Sequence, residues 1–396
     1  MTAVLKILGG LILLLVILLG LAVTIVPRFL DRIYYRGPVS DHFDGERFFN
    51  PGGDGRGPDH GDDTTAPPTG GSRAGFFWRY LTRRDGRPPW PESVPVTPSK
   101  PPARVEGERM LVTWVGHATV LVQTAGLNIL TDPVWSERTG PWGRGPKRVA
   151  EPGVRFEDLP KIDLVLLSHN HYDHLDKPTL TRLWARDRPL IVTSLGNDSV
   201  IGQTGAKATA VDWGGVVPVR PGVEVAVVRA HHWGSRWFTD RNRALWSGFV
   251  VRLPSGGNLY FAGDTGYGDG RLPAEAARYG PIRLALLPIG AFRFVPGQMR
   301  IASHMGPIEA VRAFAGTGAM TALPVHWGTF RLSFEGWDTP PKMLDLLMRC
   351  TGADPARFAA RGIGEAFEAP PAGAAPRVDL SRLDACARSD AVKALP

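Results

Sequence analysis

The chain has 396 residues, of which 43% are hydrophobic, and a formal net charge of +8. This length suffices for one large domain or two smaller ones. The basic excess is diffuse and comes without a basic helix or an aromatic stacking motif, so we expect no nucleic-acid partner; an anionic membrane surface fits the charge better. Neither Cys350 nor Cys386 lies in a CxxC pair, so we expect neither a zinc ribbon nor a disulfide framework.

The amino-terminal region contains an apolar run, ILGGLILLLVILLGLAVTIV at 7–26, in which Thr24 is the only polar residue. As a helix it would span about 30 Å, the thickness of a bilayer core. A cleaved signal peptide is the alternative, but its apolar region is usually shorter and ends at a small-residue cleavage site. We therefore predict a transmembrane anchor with its flank at 1–36. Arg28, Arg32 and Arg36 follow the span, which favours a cytoplasmic domain on a bacterial-type inner membrane.

A Gly/Pro-rich region follows at 37–104. Its central part, NPGGDGRGPDHGDDTTAPPTGGSRAG at 50–75, buries too little apolar surface to offset its ordering entropy, which predicts a flexible linker. The sequence FFWRYL at 76–81 is interpreted as a short helix that docks on the domain or on lipid headgroups; simple packing against the domain is the alternative.

Regular apolar patterns begin near residue 105 and predict a domain at 105–368. Two β-branched runs separated by a turn at Ala125–Gly126 indicate a hairpin. Further strands are predicted at IDLVLL, PLIVTS, VEVAVV, SGFVVRL, GNLYF, IRLALLP and MTALPV, and helices at KPTLTRLWARD, GPIEAVRAFAGTG and PPKMLDLLMRCTG. Strand runs followed by helices indicate sheets with helices packed outside. The Ala/Pro-rich residues 369–396 are expected to form a loose tail.

Histidines cluster in this domain: eight of the ten lie between His117 and His326. The densest stretch, SHNHYDHLD at 168–176, directly follows a predicted strand. A solvated polar loop is the simplest explanation of such a stretch. However, imidazole and carboxylate groups are zinc ligands, and more of them follow three distant predicted strands, at His231 and His232, at Asp264 and at His326. The pattern therefore predicts a metal site assembled from several strand ends.

The order of these motifs resembles the metallo-β-lactamase superfamily. The match is closest to its N-acylphosphatidylethanolamine-hydrolysing phospholipase D branch, over roughly residues 105–368. The similar motifs are TWVGHATVLV, LTDPVWS, GPKR, LSHNHYDHLD, HHWGSR, LWSGF, FAGDTGY, PIGAF and HWGTF. The resemblance implies an α/β fold, an αβ/βα sandwich of two mixed sheets with helices outside.

The resemblance also implies a dinuclear zinc centre, with iron and manganese as alternatives. One ion would be held by His169, His171 and His232; the other would be held by Asp173, His174 and His326. Asp264 would bridge both. His232 is preferred to the adjacent His231 because HWGSR matches the family pattern.

Two zinc ions about 3.5–4 Å apart lower the pKa of a shared water, and the resulting hydroxide would attack phosphorus. Catalytic roles are thereby predicted for Asp264 and Asp173. His304 precedes a helix and is either a structural group at its amino terminus or a contact to the substrate's polar head; the resemblance favours the second, catalytic role.

Other candidates near the ligands each have two interpretations. His117 either contacts a metal directly or has a structural role beside the ligands, and the second is expected. Asp132 either starts a turn or accepts a hydrogen bond from a metal-bound histidine. Basic residues either contact phosphate or are solvated, and aromatic residues either line an acyl groove or pack in the core. These are Lys147, Arg148, Arg236 and Arg293, and Trp233, Trp237, Phe238, Phe292, Phe294, Met299 and Phe330.

The predicted function is that of a membrane-anchored zinc phosphodiesterase acting on N-acylphosphatidylethanolamine-type phospholipids. The expected partners are the phospholipid and the bilayer, and the oligomeric state stays open. One alternative keeps the metal site but changes the substrate to a lactone, a thioester or a soluble phosphodiester. Another is a non-enzymatic membrane protein with a relict fold, which the complete ligand set disfavours.

Overall fold

The computed structural model describes residues 2–25, 32–51, 75, 78–79, 82, 86–237, 239–294 and 303–396. Its helices are α1 Thr2–Thr24, α2 Lys177–Arg186, α3 Asn197–Gly202, α4 Arg271–Ala277, α5 Pro307–Thr317, α6 Thr339–Cys350, α7 Leu383–Ala387 and α8 Asp390–Lys393. Its strands are β1 Met110–Gly116, β2 Thr119–Thr124, β3 Leu127–Thr131, β4 Leu164–Leu167, β5 Leu190–Ser194, β6 Thr209–Val211, β7 Val216–Arg220, β8 Val223–Val228, β9 Gly248–Arg252, β10 Asn258–Phe261, β11 Ile282–Pro288, β12 Thr321–Val325 and β13 Ala366–Glu368.

The strands form two mixed sheets. The first has the order β13-β1-β2-β3-β4-β5-β6 and the second β12-β11-β10-β9-β8-β7. In the first sheet the pairs from β3 to β6 are parallel and the others antiparallel. In the second, β10, β11 and β12 are parallel, while β7, β8 and β9 pair antiparallel. Parallel neighbours bring the carboxyl ends of several strands to one edge, where loops carry polar side chains.

The sheets pack face to face with helices on both outer surfaces. Apolar side chains of both sheets, such as Val122, Ile129, Phe249 and Leu286, form one continuous buried cluster between them. Helices α2 and α3 cover the first sheet and helices α4 to α8 the second. The predicted αβ/βα sandwich is confirmed.

Helix α1 stands apart from this core. Its segment Val4–Thr24 has a mean hydropathy of 2.9 and is entirely unburied. By length and composition it can cross a membrane.

The packed unit is larger than the predicted domain at 105–368. Residues 32–51 lie on it, with Phe43 and Phe48 buried against Trp246. Residues 86–104 also lie along it: Val94 pairs with Ala150 and Ser99 with Val154. The described parts of the region predicted as linker, at 37–51 and 86–104, therefore pack on the domain. The predicted linker at 50–75 and the helix at 76–81 lie almost wholly outside the described residues.

Residues 369–396, expected to form a loose tail, instead pack on the domain. Helices α7 and α8 pack on α6, with Leu383 and Val392 buried. Cys350 at the end of α6 forms a disulfide with Cys386 in α7, across a Cα–Cα distance of 5.8 Å. The backbone oxygen of Pro396 accepts a hydrogen bond from Thr339 Oγ1 at 2.6 Å. Buried apolar positions in the short α7 and α8 account for this packing, which Ala/Pro content had obscured.

Candidate metal centre and substrate cavity

Four segments supply the predicted ligands, each within a few residues of the end of a strand. His169 to His174 follow β4, His232 follows β8, Asp264 follows β10 and His326 follows β12. Since these strands run in the same direction within their sheets, their carboxyl ends meet at one edge of the sandwich. All seven predicted ligands are brought together there.

Three histidines form the first group. His169 Nε2 lies 2.8 Å from His171 Nδ1, and His232 Nε2 lies 3.3 Å from the same atom. His232 is fully buried, and its Nδ1 lies 2.8 Å from the backbone oxygen of Ser303, which fixes the ring. The adjacent His231 side chain instead lies beside Gly268.

The second group surrounds Asp173. Its Oδ2 lies 3.4 Å from His174 Nε2 and 3.5 Å from His326 Nε2. His117 Nε2 approaches the same oxygen at 3.0 Å. His117 thus contacts a predicted ligand directly, in keeping with the supporting role expected for it.

Asp264 lies between the two groups. Its Oδ2 is 2.9 Å from His326 Nε2, 3.1 Å from His174 Nε2 and 3.9 Å from His232 Nε2. A carboxylate in this position reaches ligands of both predicted ions, as a bridging group must.

The ligand atoms fit a metal. His171 Nε2 and Asp264 Oδ1 are buried and have no hydrogen-bond partner among the described residues, while His174 Nε2 and His326 Nε2 are buried beside Asp264 Oδ2. Each unpaired buried polar atom costs about 1–3 kcal/mol. Divalent cations among these atoms would satisfy them, and imidazole nitrogen with carboxylate oxygen is a donor set typical of zinc, iron and manganese.

Protonation differs between the histidines. Burial, with the neighbouring imidazoles, holds the pKa of His169 and His171 well below the usual range and lowers that of His232 to about 4. At His326 burial acts in the same direction, but the Asp264 and Asp173 carboxylates outweigh it and raise the pKa to about 9. Because a metal and a proton compete for the same nitrogen, metal binding would release a proton there.

The comparisons with known proteins agree with this geometry. Residues 127–327 match the family model described as the beta-lactamase superfamily domain. The chain belongs to the beta-lactamase superfamily. It is 36% identical over 277 residues to an uncharacterized protein of Mycobacterium tuberculosis, covering 68% of this chain and 72% of that protein.

Two further known proteins extend the comparison. The N-acyl-phosphatidylethanolamine-hydrolyzing phospholipase D 1 of Caenorhabditis elegans is 33% identical over 273 residues, covering 66% of this chain and 76% of that protein. A metallo hydrolase of Ignicoccus hospitalis shares the fold, with a TM-score of 0.51 and 21% identity, over 66% of this chain and 99% of that structure. The chain is therefore a hydrolase of the metal-dependent, metallo-β-lactamase-fold type.

Asp132 contacts one of the predicted ligands and the residue next to another. It is fully buried, and its carboxylate accepts hydrogen bonds from Ser168 N at 2.7 Å and from the Ser168 hydroxyl at 2.5 Å. His174 Nδ1 lies 2.7 Å from the same carboxylate. Asp132 therefore orients a predicted ligand, which is the second of the two roles expected for it.

An apolar cavity of about 510 Å³ opens onto the ligands. Its floor includes His171, Asp173, Asp264 and His304, and its walls include Trp142, Trp233, Trp237, Phe294 and Leu332. His304 Nδ1 lies 3.9 Å from Asp264 Oδ2. Such a cavity holds a polar reacting group over the ligands and an apolar chain along the wall.

Several predicted substrate contacts lie elsewhere. Arg148 is 5% exposed, and its guanidinium donates hydrogen bonds to the backbone oxygens of Val134, Ser136 and Ala150. It therefore connects loops of the domain and is not available to bind phosphate. Lys147 forms a surface ion pair with Glu137 at 3.0 Å. Lys147, Arg148, Phe292 and Phe330 do not line the cavity formed by the described residues, and Phe238 and Met299 lie outside those residues.

Asn50 is a supporting residue that the sequence patterns did not reveal. Its Nδ2 donates to the backbone oxygen of His232 at 2.9 Å, and its Oδ1 accepts from Trp246 Nε1 at 3.0 Å. In the sequence, only the neighbouring apolar pair Phe48–Phe49 suggests that Asn50 could pack on the domain. Asn50 itself begins a Gly/Pro-rich stretch, which suggests the opposite.

Proposed function

We propose that the chain is a membrane-anchored dinuclear zinc phosphodiesterase. It hydrolyses N-acylphosphatidylethanolamine-type phospholipids to an N-acylethanolamine and phosphatidic acid. In this proposal residues 1–36 form the anchor, part of 37–104 the linker, and the remainder the hydrolase domain with its docked carboxyl-terminal helices.

One observation carries the proposal: three of the predicted ligands, His171, Asp173 and Asp264, line a cavity that is also lined by three tryptophans, Trp142, Trp233 and Trp237. A soluble polar ester has no need of such a wall, whereas a lipid presents apolar surface beside its phosphate. The uncovered apolar helix α1 and the phospholipase name of the C. elegans relative support the same substrate class.

The metal-binding residues would be His169, His171 and His232 for one ion, Asp173, His174 and His326 for the other, and Asp264 between them. Bound zinc supplies Lewis-acid polarisation and a water of lowered pKa. Ser303 and Asp132 orient the imidazoles of His232 and His174 by accepting hydrogen bonds.

His304 faces the cavity beside Asp264, and burial lowers its pKa well below the usual range. A neutral imidazole there donates one hydrogen bond to a phosphoryl oxygen. In the overall reaction, a water oxygen bonds to phosphorus and the bond from phosphorus to the ethanolamine oxygen breaks. The leaving oxygen takes a proton and departs as the N-acylethanolamine.

A substrate panel tests this proposal. Full-length protein with quantified metal is supplied with N-acylated phospholipids, unmodified phospholipids, lactones, thioesters and soluble diesters. We expect two metal ions per chain and preferential release of N-acylethanolamine. Turnover of soluble esters without any phospholipid hydrolysis would overturn the lipid assignment, and full turnover after removal of all metal would overturn the metal chemistry.

A further inference from the structure

A second cavity, of about 520 Å³, lies beside the one above the metal ligands. The two share a wall that includes Trp142, Tyr172 and Trp237. None of the seven predicted ligands lines the second cavity. Its chemistry differs from that of the substrate cavity because its lining is rich in charge.

Four cationic side chains converge on this cavity: Arg32, Arg138, Lys177 and Arg236. Arg32 and Arg138 are exposed at the rim, and the other two are half-buried. Arg236 is held in place by donating to the backbone oxygens of Asn170 at 2.9 Å and Leu175 at 2.8 Å. Lys177 contacts the neutral amide oxygen of Gln203.

The two carboxylates in the lining are already engaged. Asp240 accepts hydrogen bonds from Tyr34, Ser235 and the backbone amides of Arg236 and Trp237. Asp176 accepts from the Ser136 hydroxyl, from Thr179 and from two backbone amides. Burial, together with the positive charges of Arg236 and Arg32, lowers the pKa of Lys177. The positive charges in the cavity are therefore only partly neutralised by nearby carboxylates. An anion would relieve this repulsion.

If α1 crosses a bilayer, as proposed above, the chain places this cavity near it. Thr24 ends α1, and only eight residue steps separate it from Arg32 on the cavity rim. Fully extended, eight steps span at most about 29 Å. Trp142, 75% exposed on the shared wall, suits the interface between water and lipid.

We propose that this cavity binds the phosphate headgroup of an anionic phospholipid, distinct from the substrate molecule. The guanidinium and ammonium groups bind the phosphate, while the shared wall meets the lipid surface. Occupation of the site orients the apolar substrate cavity toward the bilayer. The inference holds for any lipid substrate and does not depend on which phospholipid is hydrolysed.

The test uses full-length protein in phosphatidylcholine nanodiscs, titrated calorimetrically with soluble dihexanoyl phosphatidylglycerol. The variant combines Lys177→Ala with Arg138→Ala. The control combines Lys207→Ala with Arg155→Ala, two exposed cations outside the cavity, so both proteins lose the same charge. We expect the first variant to bind about tenfold more weakly than the wild type and the control to bind normally.

Three results would overturn the proposal. If the cavity variant and the wild type bound dihexanoyl phosphatidylglycerol with equal affinity, the cavity would not be the binding site. Equal affinity for zwitterionic dihexanoyl phosphatidylcholine would mean that the charge is irrelevant. Equal affinity for inorganic phosphate would make the site one for free phosphate instead of lipid. Weakening of phosphatidylglycerol binding at high salt is expected, because exposed charges are screened.

Discussion

Asp264 is the residue on which both halves of the proposed metal centre depend. Its Oδ2 approaches His326 and His174 within about 3 Å, and Oδ1 is buried without a partner among the described residues. We predict that Asp264→Asn reduces bound metal below two ions per chain and turnover at least about a hundredfold. Metal analysis and initial rates on the same preparation check both.

A matched control is Asp269→Asn, a nearby carboxylate that pairs with Arg271 outside the site. It should keep its metal and its rate. Full metal content and rate in Asp264→Asn would contradict the bridging role, and equal losses in the two variants would indicate a general defect of folding.

Asn50 links the segment before the linker to a metal ligand. Asn50→Asp keeps an oxygen for Trp246 Nε1 but removes the donor to the His232 backbone oxygen. Since a buried acceptor left unpaired costs about 1–3 kcal/mol, we predict a lower melting temperature and weaker metal retention during dialysis against a chelator. If the variant retained metal as well as the wild type does, the contact of Asn50 would not be what holds His232 in place.

Residue types and spacing were sufficient to predict which histidines and aspartates come together at this edge of the sandwich, because metal sites require particular side chains; their role as ligands stays a prediction. They were insufficient for Arg148, whose three backbone acceptors come from loops that meet only in the fold. A buried arginine that binds backbone oxygens and an exposed arginine that binds phosphate look alike in a sequence. Asn50 was missed for the same reason.

At the level of elements, His42 attaches residues 32–51 to the domain. Its ring lies between Asp41 Oδ1 at 2.6 Å and Asp212 Oδ1 at 2.8 Å. Burial disfavours the charged ring, but hydrogen bonds to both carboxylates outweigh it and raise the pKa above the ordinary value of about 6.5. A raised folded-state pKa stabilises the protein below the unfolded pKa, and this contribution is lost as the pH rises through the folded value.

We therefore predict that His42→Gln lowers the melting temperature most at about pH 6 and least at about pH 9. Asp212→Asn should show the same trend, since it removes one of the two carboxylates. Scans of wild type and variants across this range check the sign. A penalty that is constant, or that grows with pH, would contradict a charged His42.

The strand pattern was predicted well where strands are long and apolar, and less well where turns interrupt them. The run from Met110 to Thr124 contains two strands, β1 and β2, because the chain turns at His117, where φ is +52°. The sequence there shows no turn residue beyond Gly116, so the break was missed. The short strands β6, β7 and β13 were missed because three to five residues carry little periodicity.

For the whole molecule, the Cys350–Cys386 bond joins α6 to the carboxyl-terminal helices and closes a separation of 36 residues. We predict that replacing Cys386 with Ser lowers the free energy of unfolding by about 2–4 kcal/mol. Reductant should produce the same loss in the wild type and none in the variant. An equal effect of reductant on both proteins would contradict the disulfide.

The same bond bears on membrane sidedness. Arg28, Arg32 and Arg36 after the apolar run favour a cytoplasmic domain, but Lys6 and the amino terminus before it nearly balance them. A structural disulfide persists in oxidising compartments and is rare in the cytosol. We predict that the domain lies outside the cytoplasm. Protease added to intact spheroplasts should digest it, with a cytoplasmic protein as the intact control. If the domain were protected from the protease and both cysteines were reduced, the domain would lie on the cytoplasmic side.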